Sequence, residues 1–217
     1  MRHRAEIIEI DVRSTLDGIL ICWHDATTPD DVPISQQQLD TVQQKIDPWL
    51  WDDFVIALAT NDPEHQIAVH LDLKATGYEL QAVDALIELG QPFFVTTLEQ
   101  TSIALLRAER PNEDAFLTIG RAREGRSAFS YFVLRCSELF PMHNVRKTNA
   151  TGIAIHHQLL RRHIQWWARR RHLRVVVWTV NSSTGISSSF RSDIIDAVTT
   201  NFPLKALDLR QRFLMKG

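Results

Sequence analysis

The sequence predicts an α/β fold, a (β/α) TIM-type barrel incomplete at its N-terminus, with about seven of eight barrel strands. Three observations predict it. Extended and helical runs alternate from end to end. The extended runs are apolar on both faces, which suits a parallel sheet covered by helices. Polar residues collect at the ends of these runs: Asp11, Asp72 and Lys74, Thr96 and Thr97, Thr179 and Asn181, and Thr200. Groups drawn from the carboxyl ends of several strands are how such a barrel builds a site. No glycine-rich phosphate loop follows any strand, which argues against a dinucleotide-binding sheet.

The elements follow in order. Ile7 to Arg13 alternates and is rich in β-branched residues, so it predicts a strand. Asp17-Gly18 makes a turn, and Ile19 to Trp23 is a second extended run lying beside the first. Ala26 to Pro33 is a polar loop. Ser35 caps a helix to Ile46, and Trp51 to Ala59 is also helical. A regular rhythm follows: strand Ile67 to Lys74, helix Tyr78 to Leu89 closed by Gly90, strand Pro92 to Thr97, helix Glu99 to Ala108, strand Phe116 to Ile119, helix Ala128 to Leu139. Strand Gly152 to His156 and helix Leu159 to Arg170 come next. Val175-Val176-Val177 marks a strand from Leu173 to Val180. A short helix from Ser187 to Asp193 and a strand from Ala197 to Thr200 complete the series.

At 217 residues and 44% apolar content, the chain is sized for one domain, 1–217, with a substantial core. The formal net charge of -2 points to no nucleic-acid partner. Arg161-Arg162 and Arg169-Arg170-Arg171 form a local basic run around Trp166 and Trp167; its plain reading is a solvated helix face, the alternative a partner surface or an anionic membrane. Cys22 and Cys136 have no disulfide or zinc spacing, which suits a reducing, cytoplasmic setting. No apolar run reaches transmembrane length, and the start has no signal-peptide pattern.

Glu9 and Asp11 lie two apart in a strand and so share a face. Turned outward among apolar residues, two carboxylates would carry a heavy desolvation cost. Turned inward beside a hard cation, they become ligands. Asp72 and Lys74 repeat the spacing on another strand. Lys74 can neutralise a phosphate oxygen, or simply pair with Asp72 or Glu9. His24 ends an apolar strand before Asp25 and can transfer a proton near neutral pH. The bland alternative makes the acids ordinary rim salt bridges and His24 a polar strand end. His156 and His157 are read as structural, His70 as a satisfied core or interface residue, and Trp178 as a pocket wall or barrel packing.

These residues resemble the glycerophosphodiester phosphodiesterases. The matching pieces are Glu9-Ile10-Asp11-Val12-Arg13-Ser14-Thr15-Leu16-Asp17-Gly18 with Ile21-Cys22-Trp23-His24-Asp25, then Leu71-Asp72-Leu73-Lys74, Val177-Trp178-Thr179-Val180-Asn181 and Val198-Thr199-Thr200-Asn201-Phe202-Pro203. The resemblance implies a (β/α) barrel with a small insertion, here at about 26–62. It implies hydrolysis of glycerophosphodiesters to glycerol 3-phosphate and an alcohol, with one divalent cation, calcium or magnesium. By motif, Glu9, Asp11 and Asp72 would be metal ligands, Asp72 standing where the family has glutamate. Lys74 would hold the phosphate, His24 would be one of two catalytic histidines, and Trp178 would line the glycerol pocket.

The sequence departs from the family at two places. The family opens with a His-Arg-Gly strand and a helix before its Glu-x-Asp strand, and His3-Arg4-Ala5 lies too close to Glu9 to supply them. Thr96-Thr97-Leu98 stands where the family has a Ser-Phe pair. Missing upstream residues, or a homo-oligomer covering the open barrel edge, are the expected remedies; a decayed copy is the third. Turnover by this chain alone is expected to be weak, since an absent acid–base group typically costs about 10² to 10⁴ in rate. The expected partner is a small phosphodiester. The rivals are a barrel protein that binds a phosphate-containing ligand or a protein without turnover, and a metal-dependent phospholipase of sphingomyelinase type.

Overall fold

The structure is a computed structural model and describes residues 5–120 and 141–215. It divides into two compact units, Glu6–Asp114 and a second holding Ala115–Gly217.

In the first unit the strands are β1 (Ile7–Ser14), β2 (Leu20–Cys22), β3 (Trp49–Leu50), β4 (Ala68–Leu73) and β5 (Phe93–Thr97), in the order β3-β2-β1-β4-β5. β1, β4 and β5 are parallel, with Asp11 opposite Asp72 and Asp72 opposite Thr96. β2 folds back antiparallel onto the end of β1, pairing Val12 with Cys22, because Asp17-Gly18 reverses the chain with Gly18 at φ 80°. The helices are α1 (Leu39–Gln43), α2 (Trp51–Asn61), α3 (Glu79–Leu89) and α4 (Gln100–Glu109). Val69, Leu71 and Leu73 alternate along β4 with His70 and Asp72 and are fully buried, as are Ala82, Val83 and Leu86 of α3 and Ile103 of α4. The pleat therefore sends the aliphatic residues to the helical layer and the polar ones to the opposite face.

The helix expected from Ser35 to Ile46 is broken. Gln38 is extended at ψ 155° and separates a 3-10 turn at Ile34–Gln36 from α1. Burial decides this: Ile34, Val42 and Ile21 share one apolar cluster with Trp23, Leu39, Ile46 and Leu50, which a continuous helix from Ser35 would not build. Gly90 ends α3 in the left-handed region at φ 73°, and Gln91 N donates to Leu86 O, the closure expected of glycine there.

The second unit holds β6 (Ala115–Ile119), α5 (Met142–Thr148), β7 (Gly152–His156), α6 (Arg162–Arg170), β8 (Arg174–Trp178), α7 (Ser183–Phe190), β9 (Ala197–Val198) and α8 (Pro203–Leu214). Its strands run β6-β7-β8-β9, all parallel. The helix expected over 128–139, with Cys136, lies outside the described residues. α7 starts earlier than expected because the Ser182 hydroxyl accepts from Gly185 N at 3.1 Å and caps it. α5 and α8 were not anticipated; α5 is only two turns long, and α8 begins with Pro203 at its first turn, where proline lacks only an N–H that would be unpaired anyway.

Gly152 marks a close approach at the start of β7. A Cβ there would lie 2.7 Å from the Arg174 carbonyl oxygen and 2.6 Å from the Phe116 ring. Gly152→Ala is expected to cost about 1–3 kcal/mol through overpacking. Calorimetry should show a melting point lowered by roughly 2–10 °C; an unchanged melting point would mean that β7 and β8 accommodate the methyl group.

Candidate active site

The period of the strands and their parallel register assemble the site. Glu9, Asp11 and Arg13 share one face of β1; His70 and Asp72 share one face of β4, and Lys74 follows directly. With Glu9 opposite His70 and Asp11 opposite Asp72, the four chemical groups fall side by side. One carboxylate oxygen each from Glu9, Asp11 and Asp72 lies within 4.8 Å of the other two. Lys74 Nζ lies 2.7 Å from Asp11 Oδ1 and 2.5 Å from Asp72 Oδ2.

The other oxygen of Asp72 is held from behind. Thr96 Oγ1 donates to Asp72 Oδ1 at 2.8 Å, so its proton is committed. His70 Nε2, 2.8 Å from the same hydroxyl, then serves as its donor. This assigns His70 the neutral Nε2–H tautomer. The assignment agrees with its surroundings: the ring stacks on Phe94 at 4.6 Å, and burial pulls its pKa down to about 4. Both oxygens of Asp72 thus have fixed directions.

The electrostatics follow from three carboxylates sharing one ammonium. Burial alone would lower Lys74, but Asp72 and Asp11 outweigh it and hold the ammonium above the usual lysine value. Burial pushes Asp72 above the ordinary carboxylate range, against the pull of Lys74 and Thr96. Glu9 is exposed as a residue, yet its carboxyl group lies against the other two. Desolvation first, and then the charge of Asp11, push it up to about 8. Fully ionised, the cluster carries two uncompensated negative charges, the balance a divalent cation supplies. The donors are hard oxygens, which suit calcium or magnesium.

Two supports hold the frame. Tyr78 Oη donates to Val12 O at 2.5 Å and accepts from Lys74 N and Ala75 N, both at 3.1 Å, tying the ends of β1 and β4 together beside Lys74. Arg13 donates through Nε and Nη2 to His24 O at 3.0 and 2.8 Å. Trp23 N donates to Asp11 O at 3.0 Å. The His24 backbone is therefore anchored to β1, two residues beyond Asp11. Its ring is 72% exposed, and Nδ1 pairs with Asp25 Oδ1 at 2.8 Å, although adjacent residues on a strand rarely face each other. Here the chain has left the strand.

The remaining candidates stand in the second unit. Trp178 ends β8, edge-on to His156 at 5.3 Å, and both crowd Gly120, where a Cβ would meet the tryptophan ring at 3.2 Å. His156 and His157 pack ring to ring at 4.6 Å. The sequence reading did not identify Thr96 and His70 as supports of Asp72, nor Tyr78 and Arg13 as anchors. Register would have exposed the first pair, since Thr96 is the β5 partner of Asp72.

The fold is that of solved glycerophosphodiester phosphodiesterases, which carry the (β/α) barrel. A glycerophosphodiester phosphodiesterase from Parabacteroides distasonis superposes with a TM-score of 0.72 at 16% identity, over 96% of this chain and 85% of that one. One from Agrobacterium tumefaciens gives 0.69 at 18% identity, over 95% and 87%. A phosphodiesterase from Oleispira antarctica, in complex with its product sn-glycerol-3-phosphate, gives 0.68 at 17%, over 95% and 85%. No family model matches the chain, nor does any curated protein.

Glu9 gives a prediction for the metal-free protein. Its carboxyl rises from 4.5 to about 8 on folding, so between these values the folded state binds more protons than the unfolded state. Stability must then fall as pH rises through that window. Melting curves from about pH 5 to 9 should show the decline, and Glu9→Gln should flatten it. An equally steep decline in Glu9→Gln would place the responsible group elsewhere.

Proposed function

We propose that this chain hydrolyses glycerophosphodiesters to glycerol 3-phosphate and an alcohol, using one divalent cation, calcium or magnesium, held by Glu9, Asp11 and Asp72. The observation that carries the reading is the convergence of three carboxylates and Lys74 from two parallel strands, on a fold shared with enzymes of that class. When bound, the cation supplies charge stabilisation at the phosphoryl oxygens.

The protein's own groups then have separate tasks. Lys74, charged and held by two carboxylates, donates to a phosphoryl oxygen as negative charge develops there. Asp72 is kept in place by Thr96, so its short side chain presents a defined oxygen. Asp25 occupies Nδ1 of His24, which leaves Nε2 as the atom that carries or accepts the proton of the leaving or attacking oxygen. Arg13, by gripping the His24 carbonyl, sets where that ring starts. Trp178 enters from the family resemblance alone, as a wall for the glycerol group.

A second reading, ligand binding without turnover, is favoured by one observation. His65 and His70 are the other histidines described in the first unit; His65 Nδ1 is bonded to Gln91 and His70 is committed to Thr96. That leaves His24 as the unit's available histidine among the described residues. One experiment separates the readings: release of glycerol 3-phosphate from glycerophosphocholine, followed with added magnesium or calcium and again with chelator. Hydrolysis that requires the cation is expected, with Asp11→Asn lowering kcat/KM about 10²–10³-fold. Cation binding without any release would support the second reading. Thr96→Val is expected to weaken cation binding about 10–100-fold, as loss of a support behind a ligand does, and Thr96→Ser to restore it. Calorimetric titration reads both; equal affinities in wild type and Thr96→Val would remove Thr96 from the site.

A further inference from the structure

The small net charge conceals a strong segregation. Residues 6–114 contain 21 Asp and Glu against 5 Lys and Arg, whereas residues 115–217 contain 17 Lys and Arg against 5 Asp and Glu. Between 141 and 192 there are nine Lys and Arg and not one Asp or Glu.

Within the second unit these charges fall in an ordered way. α5, α6 and α7 each lead into one of three neighbouring parallel strands, β7, β8 and β9. Their last turns and following loops therefore lie along one edge of that sheet. Arg146 and Lys147, then Arg169, Arg170 and Arg171, then Arg191 stand there, all exposed; Asp193, in the loop after α7, pairs with Arg169 alone among them.

Helix stability does not account for the pattern. Cations favour the last turn of a helix, which would explain Arg146 or Arg170. The same rule disfavours Arg161 and Arg162, which occupy the N-cap and first position of α6 with no acid in the first turn to offset them. α6 is basic at both ends.

The apolar side chains of the unit select the partner. α6 buries Ile164, Trp167 and Ala168 but leaves Trp166 62% exposed, with the Arg170 guanidinium over its ring at 5.6 Å. α8 buries none of its residues. It is anchored at its start by Lys205 Nζ to Asn181 O, and it ends in exposed Phe213, Leu214 and Met215. Arginines beside an exposed tryptophan, together with the exposed apolar side chains that end α8, match the boundary between headgroups and acyl chains.

We infer that the basic face of α6 and the adjoining helix ends docks the protein on bilayer surfaces bearing anionic phospholipid headgroups. The attachment is peripheral, since no helix among the described residues is long and apolar enough to cross a membrane. It is independent of the phosphodiesterase reading, and its test needs no turnover.

The test is co-sedimentation of the full chain with vesicles of phosphatidylcholine alone or with about 30% phosphatidylglycerol, at about 0.05 M and about 0.5 M salt. Binding is expected only to the anionic vesicles and only at low salt. Each arginine near the surface contributes roughly fivefold, so Arg170→Gln with Arg171→Gln should weaken binding about 25-fold. Their melting curve should match wild type, because both side chains are exposed. The conservative Trp166→Phe should abolish a vesicle-induced blue shift of tryptophan emission. Equal binding to both vesicle types, no binding at low salt, or wild-type binding by the double variant would overturn the inference. So would binding to duplex DNA that is tighter than binding to the anionic vesicles at the same salt.

Discussion

One ammonium between two aspartates holds the candidate site together. Asp11 and Asp72 sit opposite each other on adjacent parallel strands, a placement that would repel if nothing stood between them. Lys74 Nζ does, within hydrogen-bonding distance of both. These side chains are only 18% exposed, so water screens the attraction poorly and the pairing is stronger than a surface salt bridge. The desolvation of three charged groups opposes it, however, and net stabilisation is not the necessary result. The pair instead fixes geometry. Glu9 makes no such pairing, and its desolvation, followed by the charge of Asp11, raises its carboxyl to about 8.

Much of this was legible in the sequence because a strand has a period of two. Glu9-Ile10-Asp11 and Asp72-Leu73-Lys74 each announce a polar face and an apolar face, and burial of Val12, Leu71 and Leu73 makes the choice of face unambiguous. Two short periodic segments were enough to foresee that the carboxylates point one way. Their meeting depends on register, which no single strand encodes. Glu9 could have faced any residue of β4; the observed pairing with His70 brings Asp11 beside Asp72, and the separate register of β5 on β4 brings Thr96 beside Asp72. That is why the three ligand candidates could be named while their support by Thr96 and His70 could not.

Other elements escaped for different physical reasons. The segment after Pro33 has helical composition, yet Gln38 breaks it because Ile34 and Val42 gain more by joining Ile21 in one cluster than by continuing a single helix. Local propensity is weak against that burial. The charge segregation was hidden by averaging: a net of -2 is what remains when an acidic segment and a basic one cancel, and only the distribution carries information about partners.

Asp72 is fixed by restraints from its own surroundings. A carboxylate one methylene shorter than glutamate cannot reach as far from its strand. It also has one fewer rotatable bond, so fewer restraints suffice to fix it. Here two restraints act on opposite oxygens, Thr96 on Oδ1 and Lys74 on Oδ2. The threonine oxygen is in turn bonded to His70 Nε2, on a ring whose burial lowers its pKa to about 4. A charged His70 would set a second cation behind a carboxylate already shared with Lys74 and would compete with whatever Asp72 binds. Burial of His70, the neutral tautomer, the donated threonine proton and the orientation of Asp72 beside Asp11 are therefore one connected constraint on this side chain.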